Sequence, residues 1–116
     1  MSNDDSILKI YASNTDMLGN RLFYEYLVYM AKDNGIAGVT VYRGIMGYGL
    51  SSRIHTSRFW ELTEKLPVVI EMIDKTEKLE KFYSIIEPDI ARMPKGCLVT
   101  LEHVTVKLNK AGEKAK

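Results

Sequence analysis

The chain has 116 residues, 46% of them hydrophobic and 27% charged, with a formal net charge of +1. That length suits one domain with a small but real core, and the near-neutral charge argues against a protein whose main work is to coat nucleic acid. No apolar run approaches the roughly 20 residues of a membrane-spanning helix; the polar start Met1-Ser2-Asn3-Asp4-Asp5 is no signal peptide; and the one cysteine, Cys97, excludes an internal disulfide or cysteine metal cluster and fits a reducing cytoplasm.

Residues 1–5 are expected to be a flexible N-terminus, 6–108 one domain, and 109–116 a lysine-rich flexible tail. A first strand is predicted at 7–11, with Leu8 and Ile10 on one face and Lys9 and Tyr11 on the other. Residues 14–20 read as a turn broken by Asp16 and Gly19. A helix follows over 21–33, because Phe23, Leu27, Met30 and Ala31 recur at helical spacing; Asn34-Gly35 stops it. A second strand spans 38–43 and runs into a glycine-bearing loop, and 57–64 form a short helix carrying Phe59, Trp60 and Leu62. Pro67 opens a nearly continuous apolar third strand over 68–73. Asp74 and Glu77 have the spacing of a capping box for a second helix, whose apolar face is Leu79, Phe82, Tyr83 and Ile86. Pro88 is expected to end or kink that helix, with a further turn to Arg92.

The last strand is predicted over 97–108, and it contains a break in phase. Val99 and Leu101 lie on one face, whereas Val104, Val106 and Leu108 lie on the other. Either a bulge restores the phase, or the far half leaves its own core and packs on another subunit. The order β-α-β-β-α-β is that of the ferredoxin-like split βαβ arrangement, an α+β fold with a four-stranded antiparallel sheet and two helices on one face. The other sheet face would hold Lys9, Tyr11 and either Val69 or Ile70, and an oligomer that buries it is the economical expectation.

The segment Arg43-Gly44-Ile45-Met46-Gly47-Tyr48-Gly49-Leu50-Ser51-Ser52-Arg53-Ile54-His55-Thr56 concentrates the chemistry. Gly44, Gly47 and Gly49 either open backbone N–H groups to a phosphate, as in a nest of successive amides, or mark a bulged strand end and hairpin turn. Arg43 and Arg53 would clasp an oxyanion with their planar forks, and Ser51 and Ser52 would supply hydroxyl donors. Lys95 beside Gly96 forms a second candidate anion loop. Arg58 reads as a solvated loop residue. Cys97 is expected to be packed. His55 has no HxH or HExxH partner and so does not mark a metal site, and no Ser-His-Asp or Cys-His spacing is present. Glu71 and Glu102 interrupt apolar strands; they read either as acid–base carboxylates or as exposed rungs and interface partners of Arg and Lys. Phe59 and Trp60 suit an adenine-stacking or partner-binding surface as well as they suit a helix pinned to the core.

The run 38–56, together with Leu66-Pro67-Val68-Val69-Ile70-Glu71 and Gly96-Cys97-Leu98-Val99-Thr100, resembles the DUF190 family of small PII-like proteins over about 7–108. The resemblance implies a ferredoxin-like homotrimer in the cytoplasm. It would bind an adenine nucleotide in clefts between subunits and signal through the loop after the second strand to a partner, such as a membrane transporter. It implies ligand-binding roles for Arg43, Gly44, Gly47, Tyr48, Gly49, Ser51, Ser52, Arg53, Lys95 and Gly96, no catalytic residues, no metal and no nucleic-acid partner. The chain departs from PII proteins in its shorter loop, its single glycine in the second phosphate loop and its lack of paired C-terminal arginines, which favours AMP or ADP over ATP. The alternative is a small trimeric enzyme on the same scaffold that uses His55, Glu71 and Arg53.

Overall fold

The computed structural model describes residues 4–50, 54–56 and 65–113. The predicted helix over 57–64, with Phe59 and Trp60, therefore lies outside the described residues, as do Ser51, Ser52 and Arg53.

In chain order the elements are β1 (Asp5–Ser13), β2 (Met17–Leu18), β3 (Arg21–Leu22), α1 (Phe23–Asp33), β4 (Val39–Arg43), β5 (Met46–Gly47), β6 (His55–Thr56), β7 (Pro67–Lys75), α2 (Thr76–Arg92) and β8 (Leu98–Val104). Four strands form the main sheet, in the antiparallel order β4-β7-β1-β8. The two helices cover one of its faces. Among the described residues there are also two short ladders: β2 pairs with β3, and β5 with β6. The central strands alternate strictly. Ser6, Leu8 and Ile10 of β1 and Val68, Ile70 and Met72 of β7 are buried on the helix side. They meet Phe23, Tyr26, Leu27 and Ala31 of α1 and Leu79, Phe82 and Ile86 of α2. Ile70 is thus core and Val69 faces outward.

Three local features differ from the sequence expectation, each for a stated reason, and a fourth agrees with its expected reach to Arg92. β1 starts at Asp5, because its ladder to β7 continues to the Asp5–Lys75 pair and a salt bridge of 3.3 Å closes the end. The turn over 14–20 contains the β2–β3 hairpin, so helix α1 starts at Phe23 rather than Arg21; Gly19 supplies the left-handed φ of 63° that the hairpin needs. Asp74 does not cap α2. Its carboxylate accepts the Ala37 N–H at 2.9 Å and the Lys75 N–H at 2.8 Å and meets Lys78 at 3.1 Å, so it ties the entry of β4 to the end of β7. Helix α2 passes through Pro88 to Arg92. Pro88 and Ser84, whose carbonyl loses its helical partner, are both exposed, so that carbonyl is not buried unpaired.

β8 ends at Val104 without a bulge, in unbroken register with β1 from Leu98–Tyr11 to Val104–Asp5. The phase break falls where the core ends. Val99 and Leu101 lie beside Ile10 and Leu8, but the next helix-side position is His103, beside Ser6. Fully buried Ser6 places its Oγ 2.6 Å from Thr76 Oγ1 and 3.3 Å from His103 Nδ1, a polar lid on that end of the core.

Candidate functional site

The outer face of the sheet is built in rungs. Leu98, Tyr11, Val69 and Tyr42 lie side by side across all four strands, and Leu98 (57%), Tyr42 (43%) and Tyr11 (38%) are exposed apolar or aromatic side chains. The next rung is polar: Thr100, Lys9, Glu71 and Thr40. Lys9 Nζ sits 3.9 Å from both Glu71 Oε2 and Glu102 Oε1, and the Tyr42 hydroxyl donates to Glu71 Oε2 at 3.2 Å. Burial and the Glu71 carboxylate hold the Tyr42 phenol above its ordinary pKa. Glu71 and Glu102 are therefore rungs of an ion-paired network around one lysine, which favours their structural reading over acid–base work.

The glycine segment starts at one end of this face. Arg43, exposed, closes β4 opposite Val68. The Gly44 N–H donates to the Pro67 carbonyl at 2.7 Å, adding one bond to the ladder. Both Gly44 and Gly47 stand against the Pro67 ring: a Cβ would lie 2.9 Å from Pro67 Cγ at Gly44 and 3.3 Å at Gly47. Neither has a positive φ; among the described residues only Gly19 and Gly35 do. Close packing thus excludes a Cβ at Gly44 and only crowds one at Gly47, and Gly44 spends its amide within the fold instead of leaving it bare for an anion. Pro67, read from the sequence as a strand opener, is the residue whose ring demands a glycine at 44.

After β4 the described residues form a short arm, the β5–β6 ladder, with Met46 opposite Thr56 and Gly47 opposite His55. Ile45 (78%), Tyr48 (74%) and Leu50, fully exposed, flank β5. Tyr48 and Gly49 thus lie on an exposed arm, whereas Lys95 and Gly96 sit exposed in the loop between α2 and β8. Because β4 and β8 run antiparallel at opposite edges of the sheet, Arg43 and the 95–96 loop lie at the same end but three strand spacings apart, about 14 Å. Among the described residues, Arg43 and Lys95-Gly96 are not brought together within one copy.

A cavity of about 520 Å³ flanks the other end of β4, lined among others by Gly38, Thr40, Glu71, Ile73, Val106 and Leu108. Cys97 is partly buried, and burial followed by the Asp16 carboxylate pushes its thiol up to about 11, as befits a packed cysteine. Among the described residues no group of three His, Cys, Asp or Glu side chains is arranged to hold a metal ion, and no helix is long and apolar enough to cross a membrane.

Comparison with known structures identifies the same architecture elsewhere. A PII-like signaling protein from Thermus thermophilus superposes with a TM-score of 0.61 at 16% identity, covering 87% of both chains. CPII, a nitrogen regulatory PII-like protein from Thiomonas intermedia solved with ADP, AMP and bicarbonate, gives 0.61 at 15% identity, over 87% of this chain and 88% of CPII. In sequence, a UPF0166 protein from Aquifex aeolicus is 38% identical over 100 residues, 86% of this chain and 90% of the relative. Residues 5–106 match the profile of DUF190, described as "Uncharacterized ACR, COG1993". With the split βαβ sheet, the arm after β4 and this match along nearly its whole length, the chain belongs to the DUF190 family and has a PII-like fold.

Proposed function

We propose that this chain is a cytoplasmic regulatory sensor, acting as a homotrimer that binds an adenine nucleotide, AMP or ADP, at the seams between copies. The signal passes through the arm after β4 to a partner protein. The observation that carries this reading is the separation of the two anion loops to opposite edges of one sheet end. In this reading Arg43 to Gly49 and Lys95-Gly96 form one site where the β4 edge of one copy meets the β8 edge of another, the two edges standing apart in a single chain. CPII, of the same fold, is solved with ADP and AMP, and the outer face, with its exposed apolar rung, supports burial in an oligomer.

In this reading Arg43 and Arg53 neutralise phosphate, Ser51, Ser52 and Lys95 add donors, Tyr48 and the glycines Gly44, Gly47, Gly49 and Gly96 shape the approach, and no residue is catalytic. The ligand acts by contacts made in only one state of the arm. Titration calorimetry with AMP, ADP, ATP and cyclic AMP tests it. Saturable binding of AMP or ADP without turnover is expected, weakened at least tenfold by Arg43→Ala and by Lys95→Ala, both at exposed positions. No binding of any of the four, or steady conversion of the nucleotide, overturns it. Gly47→Val is a poor probe here, since it would disturb Pro67 whether or not a ligand binds.

A further inference from the structure

The hydrogen bonding between β1 and β7 continues one step past the strands. Their last pair is Ser13–Pro67. One residue further, Asn14 binds Leu66 twice: the Asn14 N–H donates to the Leu66 carbonyl at 2.9 Å, and the Leu66 N–H donates to Asn14 Oδ1 at 2.9 Å. In a regular antiparallel pair the second bond goes to a main-chain carbonyl. Here the chain turns off after Ser13, whose N–H donates to Asp16 Oδ2 at 3.0 Å, and the side-chain oxygen of Asn14 takes the place of its own carbonyl. Leu66 is buried, so without Asn14 its N–H would be left unpaired inside the fold.

Leu66 leads directly into Pro67, and Pro67 holds the exit of β4. Its carbonyl accepts the Gly44 N–H at 2.7 Å, and its ring stands against both Gly44 and Gly47. Arg43 precedes the first of these glycines and Tyr48 follows the second. The end of β4, the start of β5 and the start of β7 are thus fastened to one another at Pro67, and Asn14 fastens the residue before it to the end of β1. Interior packing transmits a displacement at one such contact to the next. A shift of Leu66 therefore reaches the glycines, and with them Arg43, through two contacts.

We infer that Asn14 is a positioning residue of the nucleotide site: it holds Leu66 and Pro67 in place, and Pro67 in turn sets where Gly44, Gly47 and the neighbouring Arg43 stand. Asn14 acts through Pro67 and not by contact with the nucleotide. The paired bonds of a guanidinium to a phosphate depend on alignment, so a small displacement of the backbone that carries Arg43 weakens them. The inference rests on the proposed function, since it takes the segment after β4 to be where the phosphate binds.

Titration calorimetry of the full chain with AMP and ADP, at a temperature where circular dichroism shows each variant folded, tests it. Asn14→Ala should weaken binding at least about fivefold. Ser6→Ala removes a buried bond at the opposite end of β1; it controls for lost stability alone and should bind within about twofold of the parent. Amide exchange without nucleotide, read by NMR, supplies the second measurement. In Asn14→Ala the Leu66 and Gly44 amides should exchange at least about tenfold faster relative to amides around the Ile10–Ile70 pair. Asn14→Asp keeps an oxygen acceptor in place and should hold the Leu66 amide within about threefold of the parent. If Asn14→Ala binds like the parent or like Ser6→Ala, if its Leu66 and Gly44 amides are not selectively accelerated, or if Asn14→Asp loses the Leu66 protection, the inference is overturned and the sensor stands. A parent chain that binds neither nucleotide overturns both.

Discussion

Replacing Gly44 by alanine would place a methyl group 2.9 Å from Pro67 Cγ, whereas ordinary contact begins at 3.4 Å, so something must move by about 0.5 Å. Neither side moves freely. Pro67 is a ring at the first position of β7, and the Gly44 N–H is bonded to its carbonyl at 2.7 Å. Overpacking of this kind costs about 1–3 kcal/mol. Gly47, where the corresponding distance is 3.3 Å, misses ordinary contact by far less, and Gly47→Ala should cost under about 1 kcal/mol. Pro67→Ala removes the offending Cγ and leaves Pro67 Cβ at 3.6 Å and the carbonyl oxygen at 3.7 Å as the nearest neighbours of the new methyl group. The double variant Gly44→Ala, Pro67→Ala should therefore recover about 1–2 kcal/mol relative to the sum of the single variants. Pro67→Ala has its own cost through the unfolded chain, but the cycle cancels it. The measurement is urea unfolding followed by far-UV circular dichroism at one protomer concentration, with the m-value required to stay constant. Additivity within about 0.5 kcal/mol would refute the assignment of these glycines to packing against Pro67.

Ser6→Ala removes the hydroxyl that joins Thr76 and His103 at the end of the core; a loss of about 1–2 kcal/mol in the same urea assay is expected. The Tyr26 phenol, raised to about 12 by burial and then by its bond to Asp89, favours the neutral form in the fold. Its contribution is complete below the ordinary tyrosine pKa of about 10 and is lost as pH rises towards the folded value; Tyr26→Phe should flatten the alkaline decline of the unfolding midpoint. Asp74 behaves oppositely. Burial alone would raise its pKa, but the Ala37 and Lys75 N–H groups and Lys78 outweigh it and hold the carboxyl below the ordinary value. Its contribution is present above the unfolded pKa of about 4 and is lost as pH falls through the folded one, so Asp74→Asn should remove part of the acid decline, read from urea midpoints across the acid range.

The sheet and helices were legible because their signals are periodic and local. Leu8 and Ile10 at period two, and Leu79, Phe82 and Ile86 at helical spacing, each face the core they were expected to build. The boundaries were less legible because they depend on partners distant in sequence. Asp74 has the spacing of a cap, yet Ala37, 37 residues away, offers an N–H that competes for its carboxylate. The phase break in β8 was visible, but its resolution was not: a bulge and a departure from the sheet look alike until the Ser6–Thr76 lid is seen to stop the core at His103.

For the candidate site, the residue types after β4 and the spacing of their glycines were readable from the chain alone, since glycine, arginine and hydroxyl side chains carry their chemistry wherever they are placed. Their reasons and relations were not. That Gly44 and Gly47 yield space to Pro67, and that Arg43 and Lys95 stand at one end of the sheet on opposite edges, follow from the strand order β4-β7-β1-β8. Strand order is set by which apolar faces bury one another across the whole chain, and no window of sequence contains that information.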